Sequence, residues 1–104
     1  MEDSEITTRA FVIGARETVR GFQLIGVPGK EAKTASEILE VLDDAINKDY
    51  ALIIISASAA YKIENQLDEI RFDTPIPIFV ISDVNLKVDT KDLEKKFKSF
   101  IGVH

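Results

Sequence analysis

Apolar positions along the chain switch between two spacings. Arg9–Gly14 (RAFVIG) is a short β-branched and aromatic run ending in glycine, the pattern of a strand that enters a turn. Arg16–Ile25 then changes to helical spacing through Val19, Phe22 and Ile25, with Gly26 as the C-terminal stop and Pro28 just beyond. Thr34-Ala35-Ser36-Glu37 has the form of a capping box, in which hydroxyl and carboxylate each satisfy a backbone donor at a helix start. Ile38, Leu42, Ala45 and Ile46 follow on one side of that helix, with Glu37, Glu40, Asp44 and Lys48 on the other. Ala51–Ile55 (ALIII) is apolar without alternation, as in a strand buried on both faces of a parallel sheet, and marks the centre of the fold. Ser58 is the expected cap of a third helix carrying Ile63, Leu67 and Ile70. Thr74-Pro75-Ile76-Pro77 ends it and leads to Ile78–Ile81, a strand at or near an edge, because Pro77 cannot donate to a ladder. A last helix starts at Asp89 or Thr90 and gathers Leu93, Phe97, Phe100 and Ile101 on one side.

Strands alternating with helices of this length imply βαβ units and an α/β fold with a mostly parallel sheet covered on both faces. Only Val27–Lys33 separates the first two helices, so the second strand, expected around Glu31–Lys33, is short and peripheral. The chain has 104 residues, enough for a single domain over residues 1–104 with one real core. The acidic Met1–Thr8 precedes the first strand and is expected to be disordered, and residues 89–104 form a C-terminal helical segment.

Composition removes several kinds of chemistry. With no cysteine there is no thiol nucleophile, disulfide or thiolate metal site, which agrees with a reducing, cytoplasmic setting. The single histidine is His104, the last residue, a poor foundation for a Ser-His-Asp triad or a histidine metal site. The net charge of −5 and a pI near 4.8 argue against a nucleic-acid partner. No run of about 18 apolar residues offers a membrane span, and Met1–Thr8 is too acidic and polar for a signal peptide. The charge is uneven. Asn85–His104 carries five lysines against three acids, a net +2, so the preceding residues carry −7. That tail is either a solvated lysine face or a docking element.

In an open α/β sheet, ligands sit beyond the carboxyl ends of the strands, here the loops Gly14–Glu17 and Ser56–Ser58. A dinucleotide or P-loop site needs several glycines, and this loop has Gly14 alone before Gly21. A flavin phosphate loop needs more hydroxyls than Thr18 supplies. A receiver domain needs acids after the first strand and an aspartate ending the central one, where this chain has Gly-Ala-Arg and Ile-Ser-Ala-Ser. Ser56 and Ser58 have no base to activate them and read as helix caps. Arg16 at a helix start is a candidate anion contact or a solvated surface residue. Asp43 and Asp44 are adjacent on a helix and point in different directions. Gly21 inside a helix costs roughly 1 kcal/mol relative to alanine, which signals close packing there, against the sheet or against a partner's backbone. No cofactor or metal is implied.

One stretch carries a resemblance. Val12–Val27 (VIGARETVRGFQLIGV), followed by Tyr50–Ser56 (YALIIIS) and Pro77–Ile81 (PIFVI), is similar to the F subunit of the rotary V-type and archaeal A-type ATPases in order and length over essentially the whole chain. The resemblance implies an open three-layer sandwich with a four-stranded parallel sheet of receiver-like topology and a C-terminal helix. It also implies a non-catalytic component of the central rotor stalk, on the cytoplasmic side and peripheral to the membrane, which binds the coiled-coil D subunit and helps couple ATP turnover to proton or sodium movement. Phe97 and Phe100 suit either the core or an interface; in that setting they and Ile101 are expected to supply apolar contact and Lys95, Lys96 and Lys98 to set orientation, with Gly21 and Phe22 as a further contact. The family usually has acidic residues where this chain has Ala15-Arg16, and it starts closer to the first strand. The alternative from a different class is a degenerate receiver-like or small-ligand- or anion-binding regulatory domain that uses the loops at 14–17 and 56–58, with Gly14, Arg16, Ser56 and Ser58.

Overall fold

A computed structural model describes residues 9–83 and Lys95. Four strands, β1 (Ala10–Gly14), β2 (Gly29–Glu31), β3 (Leu52–Ser56) and β4 (Ile78–Ile81), form one sheet in the order β2-β1-β3-β4, with every neighbouring pair parallel. Four helices connect them: α1 (Arg16–Leu24), α2 (Ala35–Asn47), α3 (Ala57–Lys62) and α4 (Glu64–Asp73). The strand order is the beginning of the doubly wound arrangement, in which the order reverses between β1 and β3. The fold is an open three-layer α/β sandwich.

The central position of β3 explains its sequence. All five of its residues are buried, paired to β1 through Phe11↔Ile53 and Ile13↔Ile55 and to β4 through Ile54↔Phe79. Its side chains alternate between two core halves. Ile53 and Ile55 join Ile13, Ile38, Leu42, Ile63 and Leu67 under α2, α3 and α4, whereas Leu52 and Ile54 join Val12, Val19, Phe22 and Val27 under α1. β4 is an edge strand, and Pro77 stands just before it, its carbonyl accepting from Ile53 N–H at 2.9 Å.

The capping box at the start of α2 forms as expected. Glu37 N–H donates to Thr34 Oγ1 at 3.1 Å, and Glu37 Oε1 accepts from Thr34 N–H at 3.0 Å.

Two local expectations are corrected. β2 spans Gly29–Glu31 rather than the Glu31–Lys33 region. Gly29 lies so close to β1 that a Cβ would collide with the Val12 side chain and carbonyl oxygen, and this close approach lets pairing begin early. After Glu31, Ala32 N–H donates to Gly14 O at 3.1 Å and the chain turns towards α2. Of the two serines read as caps, Ser56 and not the expected Ser58 caps the third helix: the chain passes from β3 directly into α3, and Ser56 Oγ accepts from Ala59 N–H at 3.4 Å. That helix also breaks at Ile63 (φ −123°, ψ 24°), whose buried side chain fills the core while its carbonyl accepts from the Gln66 and Leu67 N–H groups that open α4. Met1–Thr8 and the expected helix from Asp89 or Thr90 lie outside the described residues. Among the described residues no helix is long and apolar enough to cross a membrane.

Candidate functional site

The loops after β1 and β3 meet at the point where strand order reverses, as an α/β sheet predicts. The contact between them is tight. Ser56 is fully buried, and its hydroxyl accepts from Ala15 N–H at 3.1 Å while lying 3.4 Å from Ser58 Oγ. Gly14 has φ +135°, a conformation that side chains disfavour, and a Cβ there would collide with Ser56 Oγ and stand 2.9 Å from Ser56 Cβ. The Ser56 hydroxyl thus ties β1 to α3. The Ser58 N–H is also engaged, donating to Asp83 Oδ1 at 3.1 Å.

Beside this seam lies a surface depression of about 410 Å³, lined in part by Arg16, Glu17, Glu31, Lys33, Ser58 and Lys62. Its charges are mixed. Lys33 pairs with Glu31 at 3.8 Å, and Lys62 Nζ donates to Lys33 O at 2.6 Å, so two of its three cations are engaged by the protein itself. Arg16 is exposed at the start of α1, whose first turn also carries the exposed Glu17. Of the four residues in the alternative ligand loop, Gly14 and Ser56 are used to join the strands, Ser58 closes a loop, and Arg16 faces solvent.

Titration tells the same story. The Thr34 N–H, and next that of Lys33, donate to the Glu37 carboxylate and hold its pKa below the usual glutamate range. This is a helix cap, remote from the Gly14–Ser56 seam in the chain. Asp43 and Asp44 share no site: both are exposed, and Asp44 pairs with Lys48 one turn away at 3.1 Å. Among the described residues no group of three or more His, Cys, Asp or Glu is arranged to hold a metal ion.

The residues expected at a partner interface divide. Gly21 and Phe22 are buried on α1, and Phe22, with no exposed surface, sits in the core half under that helix. Lys95 is helical and exposed. Lys96, Phe97, Lys98, Phe100 and Ile101 lie outside the described residues. Three large apolar side chains that the periodicity passed over are exposed: Leu24 on α1 at 75%, Tyr61 on α3 at 75% and Phe72 on α4 at 90%. Tyr61 and Phe72 stand off the stripe that Ile63, Leu67 and Ile70 define, and Leu24 off the one that Val19, Phe22 and Ile25 define.

No curated protein matches the chain significantly. Residues 10–96 match the sequence model of a family described as ATP synthase (F/14-kDa) subunit.

Proposed function

Since the chain belongs to the ATP synthase (F/14-kDa) subunit family, and so is an accessory subunit of a rotary ATPase complex, we propose that it works in the central rotor stalk by binding the coiled-coil D subunit. In this role it does no chemistry and helps transmit rotation between the ATP-driven head and the proton- or sodium-conducting ring, peripheral to the membrane on its cytoplasmic side. The observation that carries the reading is the match across residues 10–96, supported by a switch point whose hydroxyl is spent on joining β1 to α3.

The lysine-rich segment is the proposed contact. Phe97, Phe100 and Ile101 supply apolar surface, and Lys95, Lys96 and Lys98 meet acidic groups on the coiled coil. Buried aromatics carry more of such an affinity, while complementary charge governs encounter rate and register. The test is the full chain carrying Lys95→Glu, Lys96→Glu and Lys98→Glu, titrated with the purified coiled-coil partner by calorimetry. We expect binding to weaken at least tenfold and to become less sensitive to salt, with an unchanged circular dichroism spectrum. Undiminished affinity would remove the segment from the interface.

A further inference from the structure

We propose that the outward side of α3 and α4 is a second docking surface, distinct from the 95–101 segment, and that its partner is a lysine- or arginine-rich helix bearing apolar side chains. The surface starts from two aromatic residues. At 100° per residue, Tyr61 lies opposite the buried Ala59 and Ala60 of α3, and Phe72 lies opposite Leu67 and Ile70 of α4. Both helices pack on the same core half, so both rings leave that layer on its solvent side, 75% and 90% exposed. An apolar side chain standing alone on a surface is ordinary; two largely exposed aromatics on the outside of one helical layer are the apolar anchors of the proposed surface.

The charge around them selects the occupant. Glu64, Asp68, Glu69 and Asp73 are exposed on α4. The two cations of these helices are both drawn to main-chain oxygens of neighbouring segments: Lys62 Nζ donates to Lys33 O at 2.6 Å, and Arg71 Nη2 donates to Ile78 O at 2.7 Å. Both cations stay exposed and charged, so the two helices carry four acids against two cations and their outward surface is acidic on balance. Tyr61 lines an open depression of about 460 Å³ together with Ala35, Lys62, Glu64, Asn65 and Gln66, a mostly polar hollow with one carboxylate in its wall. Aromatic anchors with an anionic rim fit a cationic amphipathic helix and repel an acidic one. The 95–101 segment, being lysine-rich, suits a partner surface of the opposite sign. The chain thus offers two docking surfaces of opposite charge, as a component held between two neighbours would.

The test places a photoreactive p-benzoylphenylalanine at position 72 of the full chain, assembles it into the native rotary complex, irradiates, and sequences the crosslinked peptide. The expected product joins position 72 to a helical segment of another protein of the complex with net positive charge. A synthetic peptide of that segment should bind Phe72→Ser, and likewise Tyr61→Ser, at least tenfold more weakly than the unaltered chain. The proposal is overturned by a crosslink to an acidic or neutral segment, to residues 84–104 of this chain or to a second copy, by equal affinity of the serine variants, or by no crosslink from a complex that retains the chain. The rotor reading is judged separately, by whether the complex retains the chain at all.

Discussion

The two faces of the sheet are buried by different means and present different charge. Over β1 and β2, α1 covers Val12 and Val27 with Val19 and Phe22, and its outward positions are Arg16, Glu17, Arg20, Gln23 and Leu24, on balance basic. On the other face α2, α3 and α4 share the work over Ile13, Ile53 and Ile55, and their outward positions include Glu37, Glu40, Asp43, Asp44, Glu64, Asp68, Glu69 and Asp73. Among the described helices, acidic side chains are thus concentrated on one side of the molecule. The described helices thus give the domain two chemically distinct sides, as a component held in an assembly would have.

The seam common to both faces should be the most sensitive position. Gly14→Val adds a strained φ and a clash with the buried Ser56, so we expect a loss of about 3 kcal/mol or more, read as insoluble or molten protein by circular dichroism and near-ultraviolet spectra. The faces themselves separate next. Phe22→Ala, which empties the core under α1, should cost about 3–5 kcal/mol, and Leu67→Ala, at the rim of the three-helix layer, about 2–3 kcal/mol in urea unfolding. Equal losses would show that the face under α2, α3 and α4 has no more capacity to adjust than the face under α1.

Smaller effects belong to the acidic side. Thr34→Ala should cost about 1 kcal/mol by removing the acceptor for Glu37 N–H. Because the folded pKa of Glu37 is lowered, its carboxylate stabilises the fold above the ordinary glutamate range, and that contribution is lost as pH falls through the folded value. The stability gap between the unaltered chain and Glu37→Gln should therefore be largest near neutrality and close on acidification. A gap that widens in acid would contradict the cap. Least affected should be the outer surface: Tyr61→Ser with Phe72→Ser is expected to change unfolding stability by no more than about 0.5 kcal/mol, since both rings are largely exposed.

Much of this architecture was legible because it is written in local periodicity. β1, β3, β4, the capping box and the central position of β3 follow from apolar runs, caps and prolines, which act within a few residues. What escaped depends on contacts distant in sequence. The early start of β2 rests on Gly29 against Val12, and the shift of the cap to Ser56 goes with a bond reaching 41 residues back to Ala15. The meeting of Gly14 with Ser56 was readable from strand order; that the serine is consumed in joining them was not. Tyr61 and Phe72 were missed for a different reason: periodicity finds the residues that face the core, and these face away from it.

The proposed binding to the rotor coiled coil is tested most directly by native mass spectrometry of the full chain mixed with the purified coiled-coil D subunit. The expected result is a one-to-one complex that survives at low micromolar concentration and that the charge reversals at Lys95, Lys96 and Lys98 dissociate. Two free species at concentrations where both are folded would contradict it.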